Sequence, residues 1–303
     1  MLEGIVPPRG SAPHRLGPYR LLGVLGNGRA GTLHVGRGSP QRGARKRLVA
    51  VRAVRPELLR DRQTRARLRR KAARVEAVTD PSVAAPLGCE LDGEKPWTAA
   101  EFAPGRPLSA LVRLYGPLPE MSVRALGGAL ARALTALHTA GVAHGDVSPG
   151  NVVLTARSPL LVECGTVLGQ VTARSALGDP ETAGGAFPSR LRADDVFGLG
   201  VVLALASTAR LVSPPGPSDE NLCAVRQLPE PGAVTEGLRE ALRACLDPRP
   251  ERRPRPEVLA RTLDLARSAD RPAAAWLPEP WLHEIGEFAE QARGLGRWRP
   301  SRT

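Results

Sequence analysis

After a Pro- and Arg-rich start, the chain alternates short apolar runs with glycines and then changes period. The runs YRLLGVL, TLHVGR and LVAVRAV have the length and composition of strands, and a basic loop, GSPQRGARKR, joins the last two. A long polar helix is predicted from Glu57 to Val78, ended by TDPS. Two further strands, VAAPLGCEL and PWTAAEF, flank the turn DGEK. From Pro107 onward the pattern is helical. Val123, Leu126, Leu130, Leu134 and Leu137 recur at i, i+3, i+4 spacing in a helix from Glu120 to Ala140. The segment DDVFGLGVVLALAS is apolar all round after two aspartates, which predicts a helix buried mid-domain. Helices near 234–246 and 255–268 flank DPRPERRP, and an amphipathic segment, PEPWLHEIGEFAEQARGL, comes last. There are no repeats and no heptads.

These elements divide the chain into four parts. Residues 1–17 are expected as a disordered tail, 18–102 as a small β-rich lobe with one long helix, 103–268 as a larger helical lobe, and 269–303 as a C-terminal extension. The fold class is α+β and bilobal.

Composition changes this picture little. The chain has 303 residues, 42% of them hydrophobic, enough for a large core. The N-terminus lacks an apolar signal core, and FGLGVVLALA is too short for the roughly 20 residues that a bilayer needs. A cytoplasmic location is therefore expected. Cys89, Cys164, Cys223 and Cys245 form no CxxC pair, so reduced thiols are expected rather than a zinc site or disulfides.

The net charge of +13 is almost all arginine and accompanies abundant Ala, Gly and Pro. That combination is similar to the coding bias of a GC-rich, actinobacterial-type genome, so it is no argument for nucleic-acid binding. The stretch Arg60–Arg74 holds eight basic residues and one acid. A solvated helix face explains it; docking of an acidic partner is the alternative. Aromatic residues to stack bases are missing there.

Two motifs carry chemistry. Gly26, Gly28 and Gly31 stand in GxGxxG spacing, which lets backbone N–H groups approach a phosphate. A dinucleotide-binding fold would follow such glycines with a helix. Here a strand follows, so the glycines form a hairpin turn. The second motif is VAHGDVSPGNVVL, with His144, Asp146 and Asn151 between a helix and a strand. That spacing belongs to phosphoryl-transfer loops.

In order, these signals resemble the bacterial eukaryotic-like (Hanks-type) Ser/Thr protein kinases over about Tyr19–Leu263. The resemblance implies ATP as the nucleotide and a set of site residues. VAVR resembles the strand that carries Ala50 and a phosphate-binding cation, here Arg52. EFAPGRPL resembles the hinge, with Ala100 as gatekeeper and the backbone of Glu101 and Ala103 meeting adenine. In HGDVSPGN, Asp146 is the implied base and Asn151 a metal ligand. ADDVFGLG supplies Asp195 as a brace for that loop. DPRPERRP supplies Arg253, with Glu181 of DPE as its implied partner.

The departures are as informative. The family pairs a strand lysine with a helix glutamate; here Arg52 faces Lys71 by register. Two such cations in contact repel by about 4 kcal/mol at an effective dielectric near 20. Glu76 is the nearest alternative acid, roughly 140° around the helix from Lys71 at ~3.6 residues per turn. Glu163 of ECG stands for the metal-binding aspartate, and its longer arm disfavours Mg²⁺. Ser148 replaces a phosphate-contacting lysine, Gly145 replaces an arginine, and the segment from Gly165 to Glu181 is short. A pseudokinase that binds nucleotide or protein is expected. An active protein kinase with a rearranged site is the alternative, and a small-molecule phosphotransferase, whose loops also read HGDxxxxN, is a lesser one. Charge balance further predicts that Glu163 lies between Arg52 and Lys71 as their counter-ion.

Overall fold

The computed structural model describes residues 5–6, 14–28, 30–39, 45–164, 189–210, 234–263 and 271–297. The small lobe is an antiparallel sheet of strands β1 (Arg15–Leu16), β2 (Tyr19–Gly28), β3 (Gly31–Gly38), β4 (Arg47–Val54), β5 (Pro86–Glu90) and β6 (Trp97–Glu101), ordered β1-β2-β3-β4-β6-β5. Alternation along β4 explains how one strand serves core and cleft. Val49 and Val51 are fully buried against Leu16, Tyr19, Leu21 and Ala99. Their neighbours Ala50 and Arg52 line the cavity beneath the sheet. The same alternation on β6 buries Ala99 and sends Ala100, which pairs with Ala50, to the cavity.

Helix α1 (Arg62–Glu76) starts later than predicted. The side chain of Asp61 accepts hydrogen bonds from the N–H groups of Gln63 (3.0 Å) and Thr64 (2.9 Å), and the preceding Pro56–Leu59 forms a separate 3-10 turn. A capping aspartate thus breaks the expected 57–78 helix in two. Leu68 packs with Val54, Leu59 and Leu91, while Val75 reaches the core of the large lobe. Lys71 lies at i+3 from Leu68 and i−4 from Val75, so it shares the inward face. Glu76 is exposed, which removes it as a partner for Arg52.

The large lobe follows a short strand, β7 (Arg106–Pro107), with helices α2 (Leu108–Tyr115) and α3 (Glu120–Thr139). Strands β8 (Val152–Leu154) and β9 (Pro159–Leu161) complete a β7-β8-β9 sheet. Helices α4 (Ser189–Thr208), α5 (Glu236–Cys245), α6 (Pro256–Leu263) and α7 (Glu279–Arg297) follow. The predicted stripe of α3 is the centre of the core: Val123, Leu126, Leu130, Leu134 and Leu137 are fully buried. They pack against Val196, Leu199, Val202 and Leu203 of α4.

Segments from the first and last parts of the described residues both reach the small lobe. Within the segment expected as a tail, Arg15–Leu16 pairs with β2, and Val6 bridges Val24 with Ile5 buried beside Val35. Helix α7 buries Trp281 and Ile285 in the large-lobe core and packs Phe288 and Ala292 against Ile5 and Val35. Among the described residues, no helix is long and apolar enough to cross a membrane.

Candidate functional site

The cavity between the lobes has a volume of about 250 Å³. The glycine hairpin roofs it, β4 and β6 form its back, residues 101–107 form one side, and Asn151, Val153, Val162 and Glu163 form its floor. Gly26 and Gly28 line the cavity directly. Gly31 turns the hairpin with φ +128°, and a Cβ there would lie 1.9 Å from the carbonyl oxygen of Ala53. Only glycine fits that close approach to β4.

The loop 144–151 is held from behind. The Asp195 carboxylate, 1% exposed, accepts from the N–H of His144 (2.8 Å) and the N–H of Gly145 (2.7 Å). His138 Nε2 meets the same carboxylate at 2.8 Å, a partner that sequence reasoning did not name. Gly145 has φ +90°, in the left-handed region that favours glycine over the expected arginine. The His144 side chain is fully buried, and burial pushes its pKa below the ordinary imidazole range. Asp146 N–H donates to its Nδ1 at 3.2 Å. That fixes the proton on Nε2, which donates to the Val162 carbonyl at 3.0 Å. The imidazole therefore ties the loop to the strand before Glu163.

On the solvent side, Asn151 Nδ2 donates to the Asp146 carboxylate at 2.8 Å and to its carbonyl at 3.0 Å. Asp146 is exposed. Ser148 is half-buried, and its carbonyl accepts from Asn151 N–H at 2.9 Å, so Ser148 serves the turn.

The end of the cavity under the glycine hairpin is occupied by protein charge. Arg52 Nη2 and Nε donate to the two carboxylate oxygens of Glu163 at 2.6 and 3.1 Å. Arg52 Nη1 also donates to the Gly31 carbonyl at 3.0 Å, which stitches the glycine hairpin to the floor. The pair is mostly buried, with the side chains 11% and 17% exposed. Glu163 has φ +69°, an uncommon conformation for a residue with a Cβ. Lys71 Nζ reaches in from α1 and donates to the His144 carbonyl at 2.8 Å. The expected counter-ion thus engages Arg52 at two points, while Lys71 anchors the loop of Asp146. The Cys164 thiol beside it is buried, and burial raises its pKa far above the usual thiol range.

Both oxygens of Glu163 are taken by a guanidinium, and a Mg²⁺ ion needs near-octahedral oxygen ligands that are free to coordinate. Among the described residues, no group of three His, Cys, Asp or Glu side chains is placed to share a metal ion. At the hinge, Glu101 N–H donates to the Ala85 carbonyl (2.8 Å) and the Ala103 carbonyl accepts from Gly105 N–H (2.9 Å). Arg253 donates to the Ala193 carbonyl (3.1 Å) and to Asp194 (3.3 Å) on α4 and stacks on Phe197. Its implied partner Glu181, like Gly165 and Cys223, lies outside the described residues.

The basic stretch on α1 is partly internal. Arg65 and Arg69 both pair with Asp92, and Arg74 donates to the Gly141 carbonyl at 3.3 Å. Arg60, Arg62 and Arg70 are exposed. Phe102, Arg106 and Phe288 are among the cavity residues that the sequence reading did not name. The signal for Phe288 was present, because Trp281, Ile285, Phe288 and Ala292 recur at i, i+4, i+7, i+11. Periodicity marked the helix but could not say where it docks.

A twisted antiparallel sheet over a helical lobe, with the cavity and its 144–151 loop between them, is the architecture of a protein kinase domain. No family model matches the chain. It is 30% identical over 309 residues to the serine/threonine-protein kinase AfsK of Streptomyces coelicolor, across 96% of this chain and 37% of that protein. It is also 30% identical over 212 residues to PknD of Mycobacterium tuberculosis, across 68% of this chain and 30% of that protein. The crystal structure of the M. tuberculosis PknI kinase domain matches with a TM-score of 0.62 at 21% identity, covering 84% of this chain and 98% of that one. The chain belongs to the bacterial eukaryotic-like Ser/Thr protein kinase family, and it spans less than two fifths of AfsK.

Proposed function

We propose that this domain is a pseudokinase: a cytoplasmic regulator that uses the kinase cleft to bind an adenine nucleotide or a protein partner and transfers phosphate slowly or not at all. The observation that carries this reading is the two-point pair between Arg52 and Glu163, at 2.6 and 3.1 Å. By the family resemblance, these two residues stand for the ones with which a kinase holds phosphates and metal, and here they hold each other. Lys71, on the inward face of α1 where the family carries a carboxylate, donates to the His144 carbonyl instead. Ser148 removes a third contact. Losing one preorganised electrostatic contact costs roughly 10²–10³-fold. A combined loss on the order of 10⁴ takes a turnover of ~1–100 s⁻¹ to minutes or longer per event.

A thermal-shift titration tests the reading. ATP without Mg²⁺ is expected to raise the melting temperature, and added Mg²⁺ to leave that shift unchanged. At a hundredfold excess over Kd the expected stabilisation is about 2.7 kcal/mol. A shift that requires Mg²⁺ would argue for the family's ordinary chemistry.

One observation favours a second reading, an active Ser/Thr kinase with a rearranged site. Asp146 and Asn151 remain in contact at 2.8 Å, on a loop that Asp195 still braces. Brisk labelling of a generic protein substrate, abolished by Asp146→Asn, would establish it and end the pseudokinase proposal.

A further inference from the structure

The last helix is placed where it can take part in ligand binding. Trp281 and Ile285 of α7 sit in the large-lobe core, whereas Phe288 packs with Val35 of the small lobe beside Leu22, Leu25 and Leu48. The helix therefore bridges the two lobes at the hinge. Phe288 is 9% exposed and forms part of the cavity wall with Leu25, Ala50, Ala100 and Phe102. Its ring stacks on Phe102 with centroids 6.4 Å apart and planes 29° from parallel. The Arg106 guanidinium lies 5.5 Å from the Phe288 centroid, and Glu284, one turn earlier on α7, holds Arg106 in an ion pair at 3.0 Å. Tyr115 also reaches Glu284, so α7 is latched at the side chain as well as by its apolar face.

Packing alone would be satisfied by an aliphatic side chain at position 288. The ring instead adds a flat apolar surface, beside that of Phe102, to the cavity. Ala50 and Ala100 leave room for a planar ring system, and aromatic faces bind every base because every base has a π-face. We infer that Phe288 contacts the base of a bound purine nucleotide, so that the docked helix α7 is a structural part of the nucleotide site. This rests on the nucleotide-binding reading above. Binding and helix docking are then reciprocal, because whatever favours one favours the other by the same factor.

The experiment is calorimetric titration of the 303-residue chain and its Phe288→Ala and Phe288→Leu variants with ATP, and separately with inorganic tripolyphosphate. Phe288→Ala is expected to weaken ATP about tenfold, the scale of one base–aromatic stack, and to leave tripolyphosphate unchanged. Phe288→Leu keeps the apolar contact with Val35 and is expected to fall between the two; it decides the matter if the alanine variant does not fold. ATP is also expected to slow amide exchange across residues 281–292 in the wild type. ATP affinity within twofold of wild type in the folded variants overturns the inference while leaving nucleotide binding intact. Equal weakening of both ligands reduces Phe288 to packing and also overturns it. Wild-type protein that binds tripolyphosphate but no nucleotide, or neither, ends both readings.

Discussion

The back of the 144–151 loop and the front of the cleft have been treated very differently. At the back, one buried carboxylate, Asp195, receives two backbone N–H groups and a histidine within 2.8 Å. At the front, the charges that would touch nucleotide have been exchanged. Arg52 pairs with Glu163 across the cleft, and a lysine stands on the helix face where an acid is expected. The difference teaches which constraint acts where. Buried N–H groups need acceptors whether or not the protein catalyses anything. Charges that meet only a substrate are not under that folding constraint. Asp195→Ala is therefore expected to cost the most, roughly 3–5 kcal/mol, because it strands two buried donors and leaves His138 without its carboxylate. Urea denaturation measures it, and a loss below about 1 kcal/mol would dissolve the contrast.

The front is expected to be softer. Removing either partner of the Arg52–Glu163 pair strands a mostly buried charge, and Arg52→Met is expected to destabilise by about 2 kcal/mol. The double variant Arg52→Met with Glu163→Gln should recover part of this, with a coupling of about 1–2 kcal/mol in the cycle. Additive single effects would mean that the pair does not hold the cleft together. A reconstruction sharpens the same point. Arg52→Lys, Lys71→Glu and Glu163→Asp together restore the family's charge pattern. If the wild type shows the metal-independent ATP shift expected of it, the expected outcome is that the shift becomes Mg²⁺-dependent.

Legibility followed the same division. The large lobe could be read because its residues obey one period: the five-residue stripe of α3 is buried as its spacing requires. The glycine hairpin was legible because Gly31 has no substitute against the Ala53 carbonyl. The inward position of Lys71 followed from counting, and the apolar neighbours Leu68 and Val75 on the same face agree. The start of α1 was misread, since Asp61 looked like one charge among many until its side chain capped the helix. The bond of Lys71 to the His144 carbonyl was not readable, because an ammonium can be satisfied by any nearby oxygen and the sequence does not say which backbone carbonyl comes within reach. The seat of α7 was hidden because an amphipathic stripe specifies that a face is buried and not which surface covers it.

The smallest expected effect concerns pH and again separates the two regions. His144, at the buried start of the loop, is held neutral mainly by burial, opposed by the nearby Asp195 and Asp146 carboxylates and assisted by Lys71. His34, on the sheet, is likewise pushed down chiefly by burial, with Arg52 adding to it. A histidine whose folded pKa is depressed binds its proton more readily in the unfolded chain. Stability from both is therefore complete above the unfolded value near 6.5 and is lost as the pH falls below it. The melting temperature is expected to be flat from pH 8 to 7 and to decline from 6.5 toward 5. His34→Gln should flatten part of that decline while keeping a polar group in the sheet. His144→Gln should flatten more of it, at the cost of a lower melting temperature throughout, because its ring also bridges Asp146 N–H and the Val162 carbonyl. An unchanged acid slope in both variants would assign the decline to carboxylates and remove the buried loop from the pH response.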